Sequence, residues 1–70
     1  MSPTWTVRVY LRQGPVGSVD GQILEEDALA EVKILQEEGI PAKVVLRAPN
    51  RIVTIPRGNV AFIEHTRNPK

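Results

Sequence analysis

The sequence predicts an α+β fold, a two-layer sandwich in β-α-β-β-β order, with one helix at about residues 25–38 packed on a three- or four-stranded mixed sheet. Three observations lead to this prediction. Residues 5–11 alternate between apolar and polar side chains, as a half-buried strand does. Residues 25–38 repeat apolar side chains at helical spacing. Residues 42–65 divide into three short apolar runs that are separated by turn residues.

The first strand, residues 5–11, has two faces of different character. Its apolar face consists of Trp5, Val7, Val9 and Leu11. The other face continues past the strand and consists of Thr6, Arg8, Tyr10 and Arg12. The segment "QGPVGSVDGQ" that follows contains three glycines and a proline, which are typical of turns. Whether residues 18–24 form an extra strand is left open.

The helix is the clearest element. Its first turn is acidic, which suits the positive end of the helix dipole. Gly39 stands where a left-handed C-cap is needed, and Pro41 prevents the helix from resuming. The sequence allows a start near residue 21 or near residue 25. The main apolar stripe, expected to face the sheet, consists of Leu24, Ala28, Leu29, Val32 and Leu35. A weaker stripe lies off that face and consists of Ile23, Ala30 and Ile34.

Three consecutive antiparallel strands are expected after the helix, at residues 42–48, 51–55 and 60–65. In the first of them the inward side chains are Val44, Leu46 and Ala48, and the outward ones are Lys43, Val45 and Arg47. The connections are a two-residue turn at Pro49-Asn50 and a second turn at "PRGN". If the strands on either side of the helix are parallel, their crossover should be right-handed. We expect Phe62 and Trp5 in the core and residues 66–70 as a frayed polar tail.

Length and composition limit the class of protein. Seventy residues predict one small domain, residues 1–70, and 20 Val, Ile and Leu residues can supply one core. The absence of cysteine excludes disulfides and thiolate metal sites. No apolar run approaches the roughly 18–20 residues that span a bilayer, and the N-terminus does not resemble a secretory signal. We therefore expect a cytoplasmic protein with no membrane partner.

Charge is strongly segregated along the chain. Residues 20–38 contain seven acidic residues and one basic residue, whereas the remainder contains eight basic residues and one acidic residue. The sequence thus predicts a basic outer sheet face opposite an acidic helix. The candidate partner-binding residues on the basic side are Arg8, Tyr10, Arg12, Lys43, Arg47 and Arg51.

No catalytic, cofactor-binding or metal-binding residue is predicted. The Gly14–Gly17 spacing resembles a GxxG loop, but it follows a strand and carries no cation. His65 is the only histidine, and we expect it at the surface. The neighbouring acids Glu25, Glu26 and Asp27 point in different directions around a helix and cannot converge on one ion.

A short segment, "ALAEVKILQEEGIPAKVV", resembles the helix-to-strand step of small α/β domains such as the SPOR peptidoglycan-binding domain. The first strand, "WTVRV", is similar to the opening strand of that domain. The resemblance covers less than half of the chain, and SPOR domains have a second helix where this sequence predicts strands. No site residue is inferred from it.

The sequence predicts a non-enzymatic interaction or assembly module that self-associates or binds an acidic protein surface. A chain of this length buries only about 60% of its unfolded surface, so its edge strands or its Ile23/Ala30/Ile34 stripe can bury more in a homo-oligomer. The alternative is a nucleic-acid-binding module that uses the basic outer sheet face. Tyr10 is the one aromatic residue expected on that face, which favours a protein partner.

Overall fold

The structure, a computed structural model, describes residues 3–14, 16–48 and 50–69. The elements in order are β1 (Thr4–Leu11), β2 (Ser18–Leu24), α1 (Glu25–Glu38), β3 (Lys43–Ala48), β4 (Arg51–Pro56), a 3-10 turn (Arg57–Asn59) and β5 (Val60–Arg67). The α+β class and the helix at residues 25–38 are confirmed. The predicted β-α-β-β-β order is wrong, because residues 18–24 form an extra strand before the helix.

The strands form two sheets instead of the single mixed sheet that the sequence predicts. One sheet has three antiparallel strands in the order β2-β1-β5, and the other is the β3–β4 hairpin. The β1–β2 connection is closed by a hydrogen bond of 3.0 Å from the amide of Leu11 to the carbonyl oxygen of Gly17. The condition for a right-handed crossover is not met, since β2 and β3, the strands on either side of the helix, lie in different sheets. The predicted three-strand meander is confirmed only for β3 and β4, because β5 pairs with β1.

The core lies on one face of the three-stranded sheet, which we call the inner face. The alternation of β1 is confirmed, since Val7 and Val9 point inward and are fully buried. The β3–β4 hairpin covers part of this face and packs Leu46 and Ile55 against it, as does Val60 at the start of β5. These five side chains form the buried cluster around which the fold is built.

Helix α1 covers another part of the inner face, where it packs on all three strands of the sheet. Ala28 is completely buried, and Val32 and Leu35 are half-buried, as the predicted stripe requires. Leu24 and Leu29 do not face the sheet, since they are 42% and 55% exposed. The prediction is wrong for these two residues; Leu24 is the last residue of β2 and does not belong to the helix.

The two ends of α1 have clear causes. The helix begins at Glu25, directly after β2, and the amide of Glu25 donates to the carbonyl oxygen of Pro3 at 3.0 Å. It ends at Gly39, whose φ of 81° favours glycine and whose amide donates to the carbonyl oxygen of Leu35 at 3.0 Å. The predicted position of the C-cap is therefore confirmed, although the ψ of −170° at Gly39 lies outside the left-handed helical region. The helix starts near residue 25 rather than residue 21.

The aromatic residues differ from the prediction. Phe62 lies opposite Tyr10 on the outer face and is 55% exposed, so its assignment to the core is wrong. The cause is a bulge between the Tyr10–Phe62 and Leu11–Val60 pairs, which leaves Ala61 without a partner and reverses the alternation. Trp5 is half-buried and lies outside the fully buried cluster.

The pairing of the C-terminal segment with β1 extends further along the chain than the sequence predicts. Strand β5 continues to Arg67, within the segment predicted to be frayed. The side-chain oxygen of Asn68 accepts a hydrogen bond of 2.7 Å from the Thr6 hydroxyl. The backbone amide of Asn68 donates a hydrogen bond of 3.0 Å to the carbonyl oxygen of Thr4. The predicted turn at Pro49-Asn50 includes Pro49, which lies outside the described residues. The residues that flank this turn, Ala48 and Arg51, pair with each other.

Candidate interaction surface

The candidate binding residues do not form one basic platform, because they are divided between the three-stranded sheet and the β3–β4 hairpin. Arg8 and Tyr10 belong to β1 of the three-stranded sheet. They alternate with the buried Val7 and Val9, so they lie on the opposite side of the sheet, the outer face. Lys43 and Arg47 belong to the hairpin, on the outward side of β3. The remaining two are exposed at strand ends, Arg12 beyond β1 and Arg51 at the start of β4. Arg12 also donates from Nε to the carbonyl oxygen of Val60 at 3.2 Å.

The cation at the centre of the outer face is neutralised by its neighbours. Arg8 Nε lies 2.8 Å from Asp20 Oδ1, and a second hydrogen bond of 3.1 Å joins Arg8 Nη2 to Asp20 Oδ2. The guanidinium hydrogen bonds hold the pKa of the Asp20 carboxyl below its ordinary value, and the same pair raises the pKa of Arg8. Glu64 lies opposite Arg8 on β5. The outer face therefore carries both signs of charge.

Two aromatic rings lie side by side on this outer face. The ring centroids of Tyr10 and Phe62 are 4.2 Å apart with an angle of 21° between the planes, which is a stacked arrangement. The sequence predicts only one of the two rings here, because the bulge at Ala61 cannot be read from the alternation. The outer face thus offers more aromatic surface, and less net positive charge, than the sequence predicts.

A concave surface lies between α1 and β3, and we call it the α1–β3 groove. It consists of two adjoining pockets of about 680 and 230 Å³. Five residues line both pockets and make them one continuous feature, namely Val7, Glu31, Ile34, Val45 and Leu46. The floor is the inner face of the sheet, where Gly21 and Ile23 lie beside Val7.

The helical wall of the groove is built from one face of α1. Asp27, Ala30, Glu31 and Ile34 line it, and their spacing of three and four residues places them on one side of a helix. Ile34 is 49% exposed although it is a large apolar side chain. The weaker stripe of Ile23, Ala30 and Ile34, predicted as a surface that could bury more area, is therefore brought together in this groove.

The hairpin wall of the groove is built from β3. Val45 is 43% exposed and lies between the two cations of this wall, Lys43 and Arg47. Outward side chains of a strand recur at every second residue, so these three share one side of β3. Leu46 points the other way, into the core, and closes the base of the wall.

Gly21 allows the hairpin to approach the sheet. A Cβ atom at this position would lie 3.3 Å from the Cβ atom of Leu46 and 3.4 Å from the carbonyl oxygen of Arg47. A larger residue would therefore crowd β3 where it approaches β2, and Gly21 also forms part of the groove floor. Read from the sequence, this glycine indicates a turn, and only the packing of β3 reveals its role.

Three polar contacts fix the helix on the sheet. His65 Nε2 lies 3.2 Å from Glu31 Oε1, and the His65 side chain is only 7% exposed, so the prediction of a surface histidine is wrong. At the N-terminal end of α1, Glu25 accepts a hydrogen bond of 3.2 Å from the Trp5 indole and lies 3.0 Å from Arg67 Nε. Glu25 thus connects the start of the helix to β1 and β5.

The part of the chain that the structure describes contains no group of three or more His, Cys, Asp or Glu side chains that could hold a metal ion. No helix among the described residues is both long and apolar enough to cross a membrane. Comparisons with protein-family models, with curated proteins and with solved structures found no match.

Proposed function

We propose that this chain is a non-enzymatic protein-interaction or assembly module and that the α1–β3 groove is its contact surface. The observation that carries the proposal is the apolar character of an open groove. Ile34 and Val45 are each more than two-fifths exposed on opposite walls, above a floor of Val7 and Ile23. Apolar side chains that stay exposed around a concave surface are typical of protein-binding sites.

The polar residues of the groove support a specific contact. Asp27 lies on the helical wall and Arg47 on the hairpin wall, so that charge surrounds the apolar centre. An apolar centre with a polar rim is the usual anatomy of a protein interface. The rim charges set orientation and exclude wrong partners, while burial of the apolar centre supplies affinity.

Total surface area also supports assembly. The chain exposes 5252 Å², whereas a monomeric protein of its mass, 7.8 kDa, is expected to expose about 4400 Å². The excess of about 850 Å² is close to the roughly 800 Å² that each partner buries in a standard interface.

The test is selection of binders from a random peptide library displayed on phage, with the purified chain as bait. We expect binders that compete with one another and that are lost with Ile34→Lys. The matched control is Leu29→Lys, which adds the same charge to the same helix at a leucine that is 55% exposed and lies outside the groove. Binders that are equally sensitive to both changes, or to neither, would reject the groove as the contact surface.

Nucleic-acid binding through the outer face is the second candidate, and Phe62 favours it, because this ring is 55% exposed and an exposed ring can stack on bases. The Arg8–Asp20 pair weakens it, because a paired cation releases less binding energy to a phosphate. Titration with single-stranded and duplex oligonucleotides at about 150 mM salt tests it. Sub-micromolar binding that Phe62→Ala and Arg8→Glu both abolish would make this candidate the leading one.

A further inference from the structure

We infer that the partner in the α1–β3 groove is a second copy of this chain, an inference that rests on the groove being the contact surface proposed above. The two copies are related by a two-fold axis that runs parallel to the groove. This axis places the helical wall of each copy against the hairpin wall of the other. The contact is then made twice, as in any isologous dimer.

The opposite charges of the two walls support this arrangement. The helical wall carries Asp27 and Glu31, and the hairpin wall carries Lys43 and Arg47. A surface with one acidic and one basic side is complementary to itself when a two-fold axis exchanges the sides. The charge segregation of the sequence is explained by this arrangement, because the acidic helix of one copy contacts the basic strand β3 of the other copy.

The order of charges along the groove supports the same axis. Asp27 and Arg47 line the larger pocket only, and Lys43 lines only the smaller one, which Glu31 also lines. A two-fold axis parallel to the groove leaves the position along the groove unchanged. Each Asp27 is therefore placed opposite Arg47 of the other copy, and each Glu31 opposite Lys43.

The charges at the larger pocket are available for such a contact. Within the described residues, neither Asp27 nor Arg47 takes part in an ion pair. Glu31 is already in contact with His65, at 3.2 Å. The Asp27–Arg47 contact is consequently the one that a charge reversal should affect most.

Mixed charge also disfavours the other occupants. A nucleic acid would bring phosphates beside Asp27 and Glu31, and an acidic protein would meet the same repulsion at the helical wall. A second copy satisfies both walls at once. The dimer also buries Ile34 and Val45 of both copies, because each copy contributes its own groove.

Sedimentation equilibrium tests the inference. The native chain should form a dimer at micromolar concentration. Asp27→Lys and Arg47→Glu should each weaken the dimer about 100-fold, because each creates two like-charge contacts. Matched controls with the same charge changes outside the groove, Glu26→Lys and Lys33→Glu, should leave the dimer within about threefold of native.

An equimolar mixture of the Asp27→Lys and Arg47→Glu chains is the decisive sample. Each contact in the mixed dimer joins opposite charges, Lys to Glu or Asp to Arg, so the mixed dimer should regain near-native affinity. Rescue in the mixture cannot come from a contact within one chain, since each chain remains defective alone. Circular dichroism confirms that both variants are folded.

A second measurement does not depend on those variants. The chain contains no cysteine, so Ile34→Cys and Val45→Cys introduce single thiols. A mixture of the two should cross-link with a short bismaleimide, whereas Leu29→Cys with Val45→Cys should not.

A native chain that remains a monomer of 7.8 kDa at millimolar concentration overturns the second copy, while peptide binders sensitive to Ile34→Lys would still support the groove. A dimer insensitive to both charge reversals and to cross-linking position also overturns it.

Discussion

Leu46 of β3 lies directly against Gly21 of β2, so closely that a Cβ atom on Gly21 would be 3.3 Å from the Cβ atom of Leu46. We expect Gly21→Val to destabilise the fold by about 1–3 kcal/mol, because the added atoms push the hairpin away from the sheet. Urea unfolding measures the change. Gly17→Val is the matched control, since no atom lies within 4 Å of a Cβ placed there. Equal losses at the two glycines would mean that the β2–β3 approach is not as close as described.

Two leucines of different burial test where the core lies. Leu46 is 5% exposed in the central cluster, whereas Leu29 on α1 is 55% exposed. Leu46→Ala should reduce the free energy of unfolding by about 2–5 kcal/mol, and Leu29→Ala by less than about 1 kcal/mol. The same atoms are removed in both variants, so most of the difference reports burial; the preference of alanine for a helix over a strand supplies a smaller part. A loss at Leu29 as large as that at Leu46, in a sample proven monomeric, would show that α1 packs through its other face.

The Arg8–Asp20 pair predicts a weak acid-sensitive contribution to stability. The hydrogen bonds from Arg8 lower the pKa of Asp20 in the folded state below the value of about 3.9 expected in the unfolded chain. A lowered pKa contributes stability that is present above the unfolded pKa and is lost as the pH falls through the folded pKa. The contribution is small because both side chains are two-fifths or more exposed.

Carboxyl NMR titration checks this prediction. Arg8→Gln should return the pKa of Asp20 towards its ordinary value, and concentrated salt should return it part of the way. A pKa of Asp20 that does not change with Arg8→Gln would contradict the ion pair.

Local patterns predict the elements well, and long-range pairing explains most of the differences. The alternation that buries Val7 and Val9 is local, and so is the C-cap at Gly39; both are confirmed. The expected basic platform depends on whether β1 and β3 are neighbours, which no local pattern records. They lie in different sheets, so Arg8 and Arg47 are on separate surfaces.

The groove was only partly predictable. The stripe that contains Ile34 is visible in the sequence as a second apolar row on the helix, but the opposite wall is not. Val45 becomes its counterpart because Gly21 lets β3 cross β2 at close range, and this glycine resembles a turn residue in the sequence. The charges of Asp27 and Arg47 can be counted from the sequence, but their places on opposite walls depend on that crossing.

The stacked rings of Tyr10 and Phe62 provide the last prediction. Their centroids are 4.2 Å apart on adjacent strands, so they should stabilise each other by about 0.5–1.5 kcal/mol beyond their separate contributions. A double-mutant cycle of Tyr10→Ala and Phe62→Ala, followed by urea unfolding, measures this coupling energy. The control cycle combines Tyr10→Ala with Leu29→Ala on the helix and should give a coupling energy near zero.

The cycle of Tyr10→Ala and Phe62→Ala also tests the β-bulge, because Phe62 reaches Tyr10 only if Ala61 is the extra residue. Without the bulge, Phe62 would point into the core, and its replacement by alanine would cost about 3–5 kcal/mol with no coupling to Tyr10.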